Sequence, residues 1–257
     1  MTLGFVGTGT IAAAMIEGLC ATPSAPPIIV SPRNADIAND LAARFANVRI
    51  AASNQAVLDD SDMVLLAVRP QIAAEVLGDL RFRPDHKVVS LIATVSLDYL
   101  RGAVAPAAQA IRAVPLPAVA LRHGPTAIYP PDPEIRTLFD TLGTAVVLDN
   151  EGEFDTFTTT TAVMASYFAF AGTVTGWMER NGIAADTARA FIGQMLSGLA
   201  GTAAAAPDRS FAALADEHQT RGGLNEQVFR AISQDGQMVD LDRALDGVLA
   251  RLRAAHA

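Results

Sequence analysis

The sequence contains a single lysine, Lys87, among its 257 residues. The other 18 of its 19 basic residues are arginines, which stay protonated in proteins and are poor proton donors. Any mechanism that requires a lysine must therefore use Lys87. This residue comes directly before the apolar run at 88–92, at the start of a predicted strand, where we expect its side chain to be solvated.

The sequence also has a single cysteine, no long apolar run and no cluster of positive charge. Cys20 is the only cysteine, so a disulfide within the chain is excluded, and the N-terminus shows no signal-peptide pattern. No stretch of about 20 apolar residues is free of polar interruption, so no membrane span is predicted. The formal net charge of −8, without a basic cluster, argues against a nucleic-acid partner. We expect a cytoplasmic protein, and we predict no metal site.

The most informative stretch is the first twenty residues. An apolar run at 3–6 meets a glycine-rich turn, and a helix-like segment follows at once. Gly7 permits the tight turn, Gly9 leaves room for a pyrophosphate, and Ala12 lets the helix pack closely on the sheet. The pattern G-x-G-x-x-A between a strand and a helix predicts a dinucleotide site, with a ligand-free turn as the alternative. The predicted cofactor contacts in this turn are Gly7, Gly9, Thr10 and Ile11.

Strands and helices alternate through the first 150 residues. Apolar runs predict strands at 3–6, 28–30, 62–68, 88–93, 108–112, 126–129 and 145–148. The run at 62–68 is continuously apolar, as in strands that are covered on both faces. The alternation predicts an α/β Rossmann-type domain with a doubly wound parallel sheet over residues 1–150.

From residue 151 to residue 257 the sequence predicts helices only. The predicted helices lie at 154–180, closed by Asn181 and Gly182, and at 186–206, 210–218, 223–234 and 241–255. Residues 162–174 are apolar around the whole helix, which must therefore be buried on every side. We predict an all-α dimerisation domain that forms a homodimer, with a compact monomeric bundle as the alternative.

The end of the second strand bears on the choice of cofactor. NAD sites place an acidic residue there, which accepts hydrogen bonds from the ribose 2′-hydroxyl. This sequence has Ser31 and, two residues on, Arg33. A hydroxyl and a guanidinium would hold a 2′-phosphate, so NADP(H) is predicted in preference to NAD(H). The alternative is a plain turn in which Asn34 caps the next helix.

Two further loops lie at the carboxyl ends of predicted parallel strands, where open α/β sheets bind ligands. The first contains Asn54, which is predicted to contact the adenosine half of the cofactor. In the second, Pro70 stops the strand at 62–68 and turns the backbone toward the crevice. The predicted cofactor contacts in this second loop are Ala67, Val68, Arg69 and Pro70.

These motifs resemble those of the pyrroline-5-carboxylate reductase family. The matching segments span nearly the whole chain, at 4–14, 31–34, 66–71, 90–93, 111–115 and 220–223. The resemblance implies a Rossmann domain, a helical domain that dimerises by intertwining, and an active site between the cofactor and the helical domains. The implied activity is NADPH-dependent reduction of a small cyclic imino acid, pyrroline-5-carboxylate to proline. Arg69 stands where the family usually has lysine.

The substrate half departs from the family pattern. The family's Arg-Ala-Met-Pro-Asn-Thr-Pro is shortened at 112–117, and its Ser-Gly-Ser-Gly-Pro-Ala-Tyr differs at 161–167. Its Thr-Pro-Gly-Gly-Thr-Thr, which holds the substrate's carboxylate and imine nitrogen, becomes the segment 220–225. The residues that the resemblance implies for catalysis are Asn225 and Thr220, and those for substrate binding are Arg221, Gly222, Gly223 and Leu224.

Hydride transfer to an electrophilic imine requires no acid–base dyad, which suits a chain whose four histidines lie outside any motif. His86 and His256 are predicted at the surface. His218 is predicted to cap a helix C-terminus, with a position near the pocket as the alternative, and Tyr167 is predicted in the core, with a role as proton donor as the alternative. A β-hydroxyacid-type dehydrogenase would need a lysine on the first long helix after the Rossmann domain, and the sequence has none there. A reductase of a different imine, or a catalytically weak NADP-binding protein, stays an alternative.

Overall fold

The computed structural model describes residues 1–234 and 236–256 of the chain. The chain folds into two compact units. The sheet unit comprises Met1–Thr161 and the stretch from Val248 onward, and the helical unit comprises Ala162–Gly247. This division differs from the predicted boundary at residue 150, because the helix after that position and the last part of the chain both belong to the sheet unit.

Short runs of apolar and β-branched residues form the sheet. In chain order its strands are β1 (Leu3–Val6), β2 (Ile28–Val30), β3 (Val48–Ile50), β4 (Met63–Leu66), β5 (Lys87–Ser90), β6 (Gln109–Val114), β7 (Pro125–Tyr129) and β8 (Thr144–Val147). Among the described residues the sheet has eight strands in the spatial order β3-β2-β1-β4-β5-β6-β7-β8. The order reverses between β1 and β4, which makes this crevice the topological switch point of a Rossmann-type fold.

The predicted Rossmann-type sheet is confirmed, with two corrections. Strands β6 and β7 run antiparallel, because the link between them holds only a 3₁₀ turn, Pro117–Leu121, instead of the helical crossover that a parallel pair needs. Strand β3 is missing from the sequence prediction. It has three residues, and Arg49 at its centre is exposed, so it lacks the continuous apolar run of its neighbours.

Helices cover the sheet and build the helical unit. They are α1 (Thr10–Cys20), α2 (Ala35–Arg44), α3 (Asn54–Asp59), α4 (Pro70–Gly78), α5 (Leu97–Ala103), α6 (Pro133–Asp140), α7 (Glu151–Thr160), α8 (Met164–Arg180), α9 (Ala185–Ala205), α10 (Phe211–Glu217), α11 (Leu224–Gln234) and α12 (Gln237–His256). Because side chains alternate along a strand, Phe5 packs in one apolar core and Val6 in the other. Each such buried side chain contributes roughly 1.5–3 kcal/mol.

The prediction of one continuous helix at 154–180 is wrong. A 3₁₀ turn, Thr161–Val163, separates α7 from α8. The hydroxyls of Thr159 and Thr161 donate to backbone carbonyls four and three residues earlier. Such bonds compete with the helical ladder and bend helices, so the threonine-rich stretch interrupts a pattern that otherwise predicts a helix.

Helix α8 is open to solvent in the single chain. Phe168 is 69% exposed and Trp177 is 59% exposed. Tyr167, predicted in the core, is 49% exposed, so that prediction is wrong for one copy of the chain. Within the described residues, no helix is both long and apolar enough to cross a membrane.

Candidate functional site

The glycine-rich turn joins β1 to α1 at the switch point. Gly7 has a φ of +99°, in the left-handed region that favours glycine. A Cβ added to it would lie 2.6 Å from the carbonyl oxygen of Ala67, at the end of β4. The two strand ends therefore touch through backbone atoms, and any larger residue at position 7 would force them apart.

Gly9 faces open space beside the start of α1. No atom lies within 4 Å of where its Cβ would be. Helix α1 starts at Thr10, whose side chain is exposed, and the first N–H groups of a helix have no partner within it. Open space above a glycine and free N–H groups at a helix start fit the pyrophosphate of a dinucleotide.

Ser31 stabilises the glycine turn through hydrogen bonds. Its side chain is fully buried, and its Oγ accepts a hydrogen bond from the Gly7 N–H at 2.9 Å. The Thr8 hydroxyl donates to the Ser31 carbonyl at 2.7 Å. The Ser31 hydroxyl therefore stabilises the glycine turn, and its contact with a 2′-phosphate stays a prediction. Arg33 is exposed two residues further on.

The other predicted cofactor residues lie at the same edge of the sheet. Asn54 is half-buried at the first position of α3, just beyond β3. After β4, Ala67 and Val68 are half-buried, and Arg69 is exposed as the N-cap of α4. Because the carboxyl ends of parallel strands meet at one edge, the structure brings these loops to the edge that carries the glycine turn.

The segment 220–225 forms a tight turn at the start of α11. Hydrogen bonds among nearby polar groups hold this turn. The Gly223 N–H donates to the Thr220 carbonyl at 2.7 Å, and a Cβ on Gly223 would lie 2.8 Å from that oxygen. Gly222, with a φ of +75°, donates its N–H to Glu226 Oε2 at 2.6 Å. The N–H groups of Gly222 and Gly223, two of the residues that the resemblance implies for substrate binding, are thus engaged within the turn.

Asn225 and Glu226 complete the turn. The Asn225 Nδ2 donates to the carbonyl of His218 at 2.9 Å. His218 is the C-cap of α10, as predicted, and its Nδ1 lies 2.8 Å from the Leu214 carbonyl. The role of Glu226 was absent from the sequence prediction, because Gly223, three residues before it, is not the serine or threonine of a capping box. Thr220, Arg221, Leu224 and Asn225 are exposed.

His86 is buried, so its predicted surface position is wrong. Its Nδ1 accepts a hydrogen bond from the Arg83 N–H at 3.0 Å, and its Nε2 donates to the Leu58 carbonyl at 3.1 Å. Burial lowers the pKa of His86, and the nearby Arg83 charge lowers it further. The imidazole is therefore neutral at physiological pH and fixed in one tautomer.

Lys87 is not solvated either. Its Nζ lies 2.9 Å from Asp132 and 2.7 Å from Glu134, with a side chain only 14% exposed. Burial alone would lower the pKa of Lys87, but the hydrogen bonds to the two carboxylates outweigh it and raise the pKa. Lys87 begins β5, at the edge opposite the glycine turn, so the single lysine is a protonated structural group. His256, also predicted at the surface, has a side chain only 13% exposed.

Two family models match separate parts of the chain. Residues 2–94 match the model for NADP oxidoreductase coenzyme F420-dependent, and residues 151–254 match the model for pyrroline-5-carboxylate reductase dimerisation. Pyrroline-5-carboxylate reductase of Pseudomonas aeruginosa is 27% identical over 198 residues, 72% of this chain and 72% of that protein. These matches support the pyrroline-5-carboxylate reductase family. The predicted resemblance is confirmed.

Further pyrroline-5-carboxylate reductases match over different lengths. Pyrroline-5-carboxylate reductase 2 of Bos taurus is 32% identical over 133 residues, 49% of this chain and 42% of that protein. The crystal structure of 1-pyrroline-5-carboxylate reductase from Streptococcus pyogenes has a TM-score of 0.86 at 25% identity, covering 99% of this chain and 98% of that one. The Plasmodium falciparum structure with NADP bound shares the fold, with a TM-score of 0.86 at 15% identity over 100% of this chain and 98% of that one.

Proposed function

We propose that this chain catalyses the NADPH-dependent reduction of the C=N bond of a cyclic imino acid, with pyrroline-5-carboxylate as the first candidate substrate. The observation that carries the proposal is the match of residues 151–254 to the pyrroline-5-carboxylate reductase dimerisation model, together with a glycine turn at residues 7–9 that leaves room for a dinucleotide. A nicotinamide cofactor supplies the hydride when bound. The chain's own contribution is to bind, to orient and to exclude water.

The preference for NADPH rests on Arg33. It is exposed just beyond β2, on the side of the switch point where Rossmann folds take the adenosine ribose. A guanidinium attracts a 2′-phosphate, and the position carries no carboxylate to accept from a 2′-hydroxyl. The variant Arg33→Ala should weaken NADPH binding more than NADH binding. Equal losses for both cofactors would overturn the assignment.

The exposed side chains of the turn at 220–225 are the proposed substrate contacts. The Gly222 and Gly223 N–H groups are engaged internally, so we assign the substrate carboxylate to Arg221 and the Thr220 hydroxyl. Asn225 donates through Nδ2 to a backbone carbonyl, which leaves Oδ1 to accept a hydrogen bond from a protonated imine nitrogen. Leu224, 82% exposed, supplies apolar contact.

Arg221 has a matched control elsewhere in the helical unit. Arg243 is an exposed arginine of α12 that pairs with Asp240. Arg221→Ala should raise KM for pyrroline-5-carboxylate and leave KM for 1-pyrroline, which lacks the carboxylate, unchanged. Arg243→Ala should change neither. A parallel rise in KM for both imines in Arg221→Ala would remove Arg221 from carboxylate binding.

The proposal includes a homodimer formed through the helical unit. The exposed aromatic side chains of α8 and α9, such as Phe168, Phe170 and Phe191, form an apolar surface that a second copy of the chain would cover. A cytoplasmic location is part of the same proposal, and fractionation of cells expressing the chain tests it.

One assay separates the competing functions. NADPH oxidation is followed with a panel of cyclic and secondary imines, with and without a carboxylate, and Asn225→Ala serves as the site variant. Turnover of pyrroline-5-carboxylate that falls in Asn225→Ala supports the proposal. Turnover of a different imine alone indicates another reductase, and NADPH binding without any turnover indicates a binding protein.

A further inference from the structure

The largest fully buried side chain among the described residues is that of Arg112 on β6. It is 1% exposed, and its Nη1 lies 2.6 Å from Glu151 Oε1 and 3.3 Å from Asp155 Oδ1. Its guanidinium carbon lies 4.3 Å from the centre of the Phe154 ring. Its Nη2 donates to the carbonyl of Ala93 at 3.0 Å. A charged side chain is thus wholly enclosed near the carboxyl end of a strand.

Fold stability gives little reason to keep a cation at this position. Removing two charges from water costs several kcal/mol per ion, and apolar residues of similar volume often replace a buried ion pair without loss of stability. The guanidinium does, however, have a geometric property that apolar residues lack. Its planar fork donates in several fixed directions at once, so that Arg112 can hold separate groups in a fixed relation.

The backbone groups that Arg112 and Glu151 bind lie in one loop and at the start of the helix that follows it. Arg112 donates to Ala93, in the middle of the loop 91–96 between β5 and α5. Glu151 accepts the Leu97 N–H at 2.6 Å through the same Oε1 that pairs with Arg112. One ion pair therefore fixes both the middle of this loop and the start of the helix that follows it.

The position of the loop indicates what the Arg112–Glu151 ion pair does. It follows β5, at the same edge of the sheet as the glycine turn and on the opposite side of the switch point from β2. In a Rossmann fold the two halves of the sheet take the two mononucleotides of the cofactor, so the half that contains β4 and β5 takes the nicotinamide. The residues 91–96 therefore border the nicotinamide half, provided that the proposed function holds.

We infer that Arg112 is a positioning residue for the nicotinamide half of the cofactor, acting with Glu151 through the loop 91–96. Loss of its fork lets this loop shift while the glycine turn and Arg33 stay in place. Affinity for the nicotinamide end then falls, and affinity for the adenosine end does not.

A second buried cation provides a matched control. Lys87 lies on β5, the strand next to β6, at the opposite edge of the sheet. Its Nζ pairs with Asp132 at 2.9 Å. Both side chains are enclosed and paired with carboxylates, but the Lys87 side chain makes its hydrogen bonds and ion pairs, among the described residues, with Asp132 and Glu134 and not with the loop 91–96. Lys87→Met therefore reports the structural cost of losing a buried ion pair.

The experiment measures ligand affinity, without catalysis, for Arg112→Lys, Arg112→Met and Lys87→Met. Arg112→Lys keeps the charge and loses the fork, which preserves a folded variant for measurement if Arg112→Met fails to fold. Thermal unfolding first establishes the folded fraction. Dissociation constants are then measured for NADPH and for 2′-phospho-ADP-ribose, which lacks the nicotinamide.

The two ligands separate the outcomes. Arg112→Lys should bind NADPH about tenfold more weakly and 2′-phospho-ADP-ribose as the wild type does, since a tenfold change in affinity corresponds to the loss of about one hydrogen bond at the nicotinamide end. Lys87→Met should leave both constants unchanged. Equal weakening of both ligands by Arg112→Lys, or no weakening of either, would overturn the positioning role alone. A wild-type chain that binds neither NADPH nor NADH would overturn the proposed function and this inference together.

Discussion

Helices α1 and α8 are both apolar, yet they differ in what the single chain provides to cover them. In α1, six of eleven residues are buried, among them Met15, Ile16 and Leu19. In α8, 17 residues long and rich in aromatic side chains, none of the described residues is buried. Burial of apolar surface is the main favourable term in folding. The sheet unit meets this requirement from its own chain, whereas the helical unit presents the surface that we assign to a second copy.

The glycine turn gives the largest expected effect on the sheet unit. Gly7→Ala should destabilise the chain by at least ~2 kcal/mol, because it combines a positive φ with a close approach to the Ala67 backbone. Gly9→Ala meets no atom within 4 Å, so it should change stability by less than ~0.5 kcal/mol. It should nevertheless weaken NADPH binding, because its methyl group occupies the space proposed for the pyrophosphate. Urea unfolding and cofactor titration measure the two effects, and equal stability losses would contradict the distinction.

The open face of the helical unit gives the next largest effect. Phe168→Asp places a charge on an apolar surface, so we expect sedimentation to show a dimer for the wild type and a 26.9 kDa monomer for the variant. Arg180→Ala, at the polar end of α8, is the control and should stay dimeric. A wild-type chain that sediments as a monomer would refute the proposed interface and favour a compact bundle.

The buried His86 makes the sheet unit sensitive to acid. Burial, aided by Arg83, lowers its pKa, so the unfolded chain binds more protons than the folded one as pH falls below the ordinary histidine value of 6.5. The free energy of unfolding that neutral His86 contributes should therefore be fully present above this pH and decline below it. His86→Gln should lose this slope, and His123→Gln, which changes an exposed histidine, should keep it. The urea midpoints of both variants are measured from about pH 5 to pH 8, the range in which histidine titrates.

The smallest effects come from two helix caps that are alike in geometry. Ser53 caps α3 in the sheet unit, and Ser210 caps α10 in the helical unit, each accepting an N–H at 3.1 Å. Replacing either by alanine should cost about 1 kcal/mol. If the two units unfold separately, each variant shifts its own calorimetric transition. A common shift of one transition would show that the units unfold together.

The sequence predicted the sheet unit better than the helical unit, for physical reasons. Strands β1 and β4 are continuous apolar runs, and the glycine turn is a local pattern, so both could be recognised without knowledge of distant contacts. The family resemblance came from such local motifs. The break at Thr161 depends on hydroxyl groups that bond to the backbone in a helix-compatible sequence, and it was not predicted.

The details of the site depend on contacts between distant residues. Ser31 was assigned correctly to the end of β2, but its bond to Gly7, 24 residues away in the sequence, turns its hydroxyl inward. The bonds of the Gly222 N–H to Glu226 and of Asn225 to His218 are made only when the turn is folded. The roles of Arg33, Arg221 and Asn225 stay predictions until the variants are measured.

The chain leaves the sheet unit after residue 161 and returns to it at Val248. In terms of chain topology, the helical unit is an insertion between two segments of a discontinuous domain. Truncation after residue 161 would remove Leu252, which is 4% exposed, and His256, whose Nδ1 lies 3.4 Å from Asp155. A fragment that keeps the core of the sheet unit must therefore retain both of these segments, because a simple C-terminal deletion would strip the sheet unit of part of that core.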